Sequence, residues 1–516
     1  MFLLNLFNNF FDENTEIFLK YQNFYLNELL KINKSLSKAK EDFTFALSIN
    51  HHEALTKTIL YYIENEINPR VDSLQKLKNN FYIKLYLDTI SPKNFPFLDK
   101  NFIKFSEEQN YQNLINGFKN FLIDISDNHF DHACGGKYII GKTLAFTKGK
   151  IIFQNELLEL IAYEPKDQIN SIPILLTPAC INKYYIFDLQ EQNSLIKWLR
   201  DNNYQVFVIS WINPERVNPK INFTFSDYID SVEMIIEKII SEFKFEKIHL
   251  VGYCLGGLFT AITASILKSK NKNYLKSLTF LTTQLDFSEP NNFSIFLEPL
   301  SWEMIKFKVS QTNSMDGLSM HSFFNYIKAK EMIFQYIIDQ YYYNQQKCTI
   351  DFIAWNDDPT NLTSNFYIEY IESTYINDLI AKGNMKINDF KIDLSQIDTP
   401  TYFLATENDH IVPWKDSYRS LQLFKNSKKR FVLGGSGHVA GVINPPINQK
   451  YKYFTNDEKI EAHYDIWKSE AKEFKGSWWN DWLKWMNDQN NKTITNNYNS
   501  MSSVSDAPGE FVKKSC

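Results

Sequence analysis

From residue 172 onward, short apolar runs recur in a rhythm that few architectures accommodate: Ile172 to Leu176, Val206 to Ser210, Ile248 to Val251, Ser277 to Leu281, Thr401 to Ala405 and Arg430 to Leu433, with helical stretches between them. Runs this short and this apolar suit strands buried on both faces, and the intervening helices suit crossover connections, so the pattern predicts a mostly parallel sheet wrapped by helices. Between about 287 and 395 the alternation lapses into aromatic-rich helical stretches such as Phe323 to Tyr343 and Phe366 to Ile380, which read as an insertion over one end of the sheet. Residues 1 to 130 are different again, with apolar residues three and four apart in Phe43 to Ile67 and Tyr111 to Ile125, the spacing of helices. The expected organisation is a helical domain over 1–130 and an α/β domain over 131–516 that carries a helical cap at about 287–395. The Asn-rich segment at about 488–505 is polar and reads as weakly structured, with Asp506 to Cys516 as a short tail.

A chain of 516 residues with 44% hydrophobic content can bury a large core, which excludes disorder as a description of the whole. A formal charge of -5 removes the basic footprint expected of a protein held on nucleic acid. The five cysteines, Cys134, Cys180, Cys254, Cys348 and Cys516, are scattered and lack paired metal-ligand spacing, which fits a reducing compartment and no metal. The apolar opening Met1 to Phe11 lacks a basic flank and is cut off by Asp12 and Glu13, so it reads as an amphipathic helix; no transmembrane segment is expected, and the expected location is the cytoplasm.

The most informative segment is Lys247 to Ala261, a strand-like run, then Gly252-Tyr-Cys254-Leu-Gly256, then a helical stretch of small residues. The pattern G-x-C-x-G belongs to a nucleophile on a sharp strand-to-helix turn, where the residues two before and two after must be small because backbones crowd there; this predicts an α/β-hydrolase fold. The turn also places the Cys254 sulfur near a helix N-terminus, which favours thiolate over thiol. Such an elbow requires an acid and then a histidine, each just after a later strand. Asp409 follows Thr401 to Ala405, and His438 follows Arg430 to Leu433, so the expected triad is Cys254, Asp409 and His438. The expected oxyanion hole uses the main-chain N–H of Leu255 and that of Ile181 in the loop after the first of these strands.

Several other residues compete for attention. His410 adjoins the acid and its side chain is directed elsewhere, so His438 is preferred as base. Gly435-Ser-Gly437-His-Val-Ala440 has the form of a dinucleotide fingerprint, but Pro445 and Pro446 follow at once and would stop the helix that must receive a pyrophosphate. His51 and His52 are adjacent and leave a helix in different directions, which suits a surface more than a metal. His249 and His321 read as structural, and Cys180 as a packing residue near the site.

A cysteine in place of serine makes the acyl-enzyme a thioester. Loading from another thioester is then nearly isoenergetic, and transfer to an alcohol runs downhill. The arrangement suits acyl transfer from a thioester to a hydroxyl, with His438 taking first the thiol proton and then the hydroxyl proton while Asp409 orients the imidazole. A covering insertion rich in Phe, Tyr and Ile would exclude water.

These residues carry a family resemblance: the chain resembles the poly(3-hydroxyalkanoate) synthases. Beyond Gly252 to Gly257, the family's signatures recur at Pro178 to Leu189, Ser210 to Pro214, Leu281 to Phe287, Trp355 to Leu362, Asn408 to Trp414, Gly434 to Pro446, Gly476 to Trp482 and Ala507 to Val512. The likeness runs from about residue 86, with the first 85 positions weakly matched. Position by position, the family's nucleophile, aspartate and general base fall on Cys254, Asp409 and His438. The resemblance implies polymerisation of (R)-3-hydroxyacyl-coenzyme A, most naturally 3-hydroxybutyryl-coenzyme A, with Asp409 helping to activate the 3-hydroxyl. It implies no cofactor, since coenzyme A enters only as part of the substrate. It also implies a homodimer at the surface of cytoplasmic polyester granules, with granule-associated proteins as further partners. The helical N-terminal region resembles that of single-subunit synthases, which favours the short-chain type and leaves medium-chain specificity open.

Two departures from the family pattern stand out. Ile212 occupies a position usually held by arginine, and Tyr326 to Phe334 replaces a stretch that usually reads R-P-N-D-L followed by an aliphatic residue and tryptophan. Both are expected in a loop and the cap, where they bear on chain-length preference and dimer geometry more than on reaction type. The competing readings are a hydrolase or other thiol acyltransferase of the same fold, and a non-enzymatic granule protein descended from a synthase.

Overall fold

The computed structural model describes residues 15–33, 43–127, 138–345, 351–460, 463–489 and 492–515. Met1 to Phe11, Cys134, Cys348 and Cys516 lie outside these. The chain divides into two compact units, Met1–Asp131 with Ser322–Lys347, and His132–His321 with Cys348–Cys516.

The first unit is helical, and it corrects the expected boundary of the cap: Ser322–Lys347, which includes the divergent Tyr326 to Phe334, packs with the N-terminal helices. The reason is local chemistry. The Asp124 carboxylate accepts from the Tyr336 and Tyr341 hydroxyls at 2.7 and 2.6 Å. Asn113 Nδ2 donates to the Tyr342 carbonyl at 2.8 Å, and a Cβ at Gly117 would stand 1.9 Å from the Tyr341 carbonyl oxygen. In the same unit His51 meets the Tyr25 hydroxyl and His52 the Leu87 carbonyl, so each ring has a protein partner.

The second unit is built on an eleven-stranded sheet. Its strands are β1 (Gly149–Gln154), β2 (Leu158–Tyr163), β3 (Ile174–Thr177), β4 (Val206–Trp211), β5 (Ile248–Tyr253), β6 (Leu275–Leu281), β7 (Thr401–Thr406), β8 (Lys429–Gly434), β9 (Lys452–Thr455), β10 (Lys472–Lys475) and β11 (Ser505–Asp506). The order across the sheet is β10-β9-β8-β7-β6-β5-β3-β4-β2-β1-β11. The six runs read from the sequence are the central parallel strands β3 to β8. The strands on both margins pair antiparallel.

Alternate residues of the central strands face opposite layers. Leu250 points into a core shared with helices α1 (Phe225–Glu242) and α2 (Leu255–Ser269), while Val251 and Tyr253 point toward helix α3 (Trp478–Asn487). Helix α1 starts on a capping box, in which Thr224 and Asp227 satisfy each other's backbone N–H, and it buries Ile229, Val232, Ile236 and Ile239, the three- and four-residue spacing of one face. Cap residues of this unit lie on the same face, with the Phe366 ring 4.5 Å from that of Tyr228.

The segment expected to be weakly structured is instead tied down. Thr493–Thr495 pairs with Gln168–Asn170, Asn496 Nδ2 donates to the Lys166 carbonyl at 2.9 Å, and Asn497 Nδ2 donates to the Phe243 carbonyl at 2.7 Å. Asparagine-rich composition here supplies backbone partners rather than solvation. The tail is also ordered: β11 closes the edge of β1, and the buried Glu159 carboxylate accepts from the N–H groups of Glu510 and Phe511 at 3.1 and 3.2 Å. Gly509 makes the approach possible, since it adopts φ +82° and a Cβ there would stand 2.3 Å from Glu159 Oε2. Gly509→Ala is therefore expected to destabilise the second unit by roughly 2 kcal/mol, from the left-handed backbone and the displaced carboxylate. A denaturant midpoint equal to that of the native chain would refute this account.

Among the described residues no helix is long and apolar enough to cross a membrane.

Candidate active site

Cys254 stands between β5 and α2 with φ 53° and ψ -119°, a conformation that a residue with a Cβ adopts only where the surroundings impose it. The surroundings here are glycines. A Cβ at Gly252 would lie 2.4 Å from Gly257 Cα, one at Gly256 would lie 2.1 Å from the Thr177 carbonyl oxygen, and one at Gly257 would lie 1.9 Å from Thr283 Oγ1. Gly252 and Gly256 were expected to be small. Gly257 is an equal participant, its partner being a threonine on the loop after β6.

The acid and the base meet as their order requires. Asp409 Oδ2 accepts from or pairs with His438 Nδ1 at 2.7 Å, while Asp409 Oδ1 accepts from the backbone N–H of Ile411 and Val412, each at 2.9 Å. Both carboxylate oxygens are thus committed, and the imidazole is held by Nδ1, which leaves Nε2 for the Cys254 sulfur, the ring's other hydrogen-bond and charge partner. Burial alone would lower the proton affinity of His438. The Asp409 carboxylate and the Cys254 sulfur outweigh it, and the imidazole is raised well above its ordinary range. The site therefore favours the protonated imidazole beside the sulfur.

The loop that bears His438 runs through turns as far as Pro445, and its carbonyls are held from outside. Trp478 and Trp479, both fully buried, donate their indole N–H to the Gly441 and Val442 carbonyls at 2.9 Å each, and Ser477 donates to the Asn444 carbonyl. The Gly476 to Trp482 signature is thus the support of the histidine loop, a link that neither block reveals by itself. The Gly435 to Ala440 match leads into turns.

Other candidates take structural places. His249 is buried in β5, its Nδ1 2.7 Å from Ser277 Oγ, and burial lowers its pKa to about 3. His321 pairs with Asp357 at 3.1 Å. Cys180 is a buried free thiol whose pKa burial pushes up, so it is unreactive although its sulfur lies within electrostatic reach of Cys254. Leu255 is the first residue of α2, where a helix N–H has no intrahelical acceptor, and Ile181 lies in the loop after β3. Tyr370 and Tyr375 of the cap, whose hydroxyls burial pushes up, pack against the same hydrophobic core as Cys254. Ile212 follows β4 and lines a separate cavity of about 420 Å³ with Glu156, Glu215, Lys220, Phe223 and Lys514. Among the described residues no cluster of three or more His, Cys, Asp or Glu could hold a metal ion.

Sheet, elbow and acid–histidine order define a protein of the α/β-hydrolase fold with cysteine at the elbow, and the model of that fold matches residues 173–445. A second family model, the N-terminus of poly-beta-hydroxybutyrate polymerase (PhaC), matches residues 11–199, so the likeness begins well before residue 86. The chain is 31% identical over 454 residues to the poly(3-hydroxyalkanoate) polymerase subunit PhaC of Cupriavidus necator, covering 86% of this chain and 76% of that one. It is also 31% identical over 465 residues to the poly(3-hydroxyalkanoate) polymerase of Methylorubrum extorquens, covering 86% and 74%. The chain belongs to the poly(3-hydroxyalkanoate) polymerase family.

Proposed function

We propose that this protein polymerises (R)-3-hydroxyacyl-coenzyme A, with 3-hydroxybutyryl-coenzyme A as the preferred monomer, and carries the growing polyester on Cys254. The observation that supports this best is the cysteine at a glycine-walled elbow facing an imidazole that Asp409 holds by Nδ1. In loading, the Cys254 sulfur attacks the thioester carbonyl, its proton having passed to His438 Nε2. The tetrahedral oxyanion is received by the N–H groups of Leu255 and Ile181, and coenzyme A leaves as the thiol with that proton. In extension, the 3-hydroxyl of the next monomer attacks the acyl–sulfur bond. His438 takes the hydroxyl proton, the new oxygen ester forms, and the proton returns to sulfur as it departs. The extended chain, now esterified to a monomer that still bears coenzyme A, reloads onto Cys254 by the first reaction. Asp409 fixes the ring throughout and stabilises the imidazolium. No metal or further cofactor takes part.

The working form in this reading is a homodimer of the single-subunit type, bound at the surface of cytoplasmic polyester granules together with granule-associated proteins. The test is incubation of the purified protein with (R)-3-hydroxybutyryl-coenzyme A, following thiol release and insoluble polyester together. Release with polymer supports the reading, and release with only soluble 3-hydroxybutyrate would make the protein a hydrolase. No release with this or longer monomers would favour a non-enzymatic granule protein.

A further inference from the structure

The carbonyl of Cys180 and the N–H of Ile181 belong to one peptide unit, and in a planar trans peptide the two point in opposite directions. Whatever captures that carbonyl therefore aims that N–H. In this chain the captor is a side chain: Thr360 Oγ1, on a residue only 2% exposed, donates to the Cys180 carbonyl at 2.5 Å. The Thr360 backbone N–H donates to the next carbonyl, that of Ile181, at 3.3 Å.

The rest of the Trp355 to Asn361 stretch grips the same loop from the same side. Pro359 bridges to Asn182, Trp355 Nε1 donates to the Lys183 carbonyl at 2.7 Å, and the Lys183 ammonium pairs with Asp358 at 2.6 Å. The elbow meets the loop through Gly256, against Thr177 and Pro178. Asn361 fixes the threonine's own position, since its side chain donates to the Pro214 carbonyl at 2.9 Å and its N–H donates to Asn213 Oδ1 at 2.9 Å. Residues 178–181 belong to no strand or helix: Trp211 Nε1 of β4 donates to the Pro178 carbonyl at 3.0 Å, and Thr360 holds the carbonyls of Cys180 and Ile181.

We propose that Thr360 is a positioning residue for the oxyanion hole: by holding the Cys180 carbonyl it turns the Ile181 N–H toward the thioester oxygen and polarises it as a donor. The inference rests on the reading of Ile181 as an oxyanion donor and assigns a role to a residue that touches neither substrate nor nucleophile.

The test compares two reactions of the same sulfur in the full chain. Acylation of Cys254 by (R)-3-hydroxybutyryl-coenzyme A passes through an oxyanion, whereas carboxamidomethylation by iodoacetamide, a displacement at saturated carbon, does not. Thr360→Val removes the hydroxyl at nearly constant volume. It is expected to slow acylation about tenfold to a hundredfold, less than loss of a donor outright, with KM within about threefold of native. Alkylation should be unchanged, and Thr360→Ser, which restores the hydroxyl, should restore acylation. Thr360→Ala serves the same comparison if the valine variant does not fold. Acylation at the native rate without the hydroxyl, parallel loss of acylation and alkylation, or a serine variant as slow as valine would each overturn the proposal. A native chain that alkylates at Cys254 but is not acylated there would overturn the parent reading, and this one with it.

Discussion

Cys254→Ala is expected to end both coenzyme A release and polymer formation, a loss of about 10⁴-fold or more, because the covalent intermediate has no other place to form. The second free thiol among the described residues, Cys180, is buried and its thiol form is favoured by that burial. It offers no substitute. Intact-mass measurement after brief exposure to monomer should find an acyl adduct on the native chain and none on the variant. Polymer formed by the alanine variant at the native rate would remove Cys254 from the mechanism and with it the functional reading.

The second large effect separates the two partners of the sulfur. His438→Ala removes the base assigned to both half-reactions and is expected to slow loading and extension alike by roughly 10²- to 10⁴-fold. Asp409→Asn leaves the ring in place and keeps the acceptor for the Ile411 and Val412 N–H groups, so measurable loading should survive while extension falls further. It also removes a charge that raises the imidazole, so the ring should lose its proton at lower pH than in the native chain, shifting the pH–rate profile of loading to the acid side. The same sign governs stability: the contribution of the Asp409–imidazolium pair is fully present below the unfolded histidine pKa and is lost as pH rises through the raised folded value. Equal and complete loss of acylation in both variants would count against this division of labour.

Much of this was legible in the sequence, for identifiable reasons. Strands β3 to β8 are buried on both faces, and Ile174–Thr177 or Val206–Trp211 consequently read as uninterrupted apolar runs. The margins were harder. Lys472–Lys475 is exposed along its whole length and Ser505–Asp506 is two polar residues, the chemistry of sheet edges, which carries no periodic signal. Order along the chain identified Cys254, Asp409 and His438 because each follows a strand that could be recognised. Two relations stayed hidden because they join distant segments through single hydrogen bonds: the Trp478 and Trp479 indoles beneath the histidine loop, and Thr360 beneath Cys180. The placement of Ser322–Lys347 with the N-terminal helices was hidden for a similar reason, since the carboxylate that recruits Tyr336 and Tyr341 is Asp124, some two hundred positions earlier.

The edge strand β11 sets a timetable for synthesis. A ribosome that has reached residue 500 has already joined all three of Cys254, Asp409 and His438 into the chain, but β1 still lacks its outer neighbour, and the Glu159 carboxylate still lacks the amides of Glu510 and Phe511. Until residues 505–511 leave the exit tunnel, the nascent domain presents an open hydrogen-bonding edge and an unsatisfied acid beside its core. Completion of the domain consequently waits on residues 505–511, and chaperone occupancy on nascent chains should persist until those residues are free.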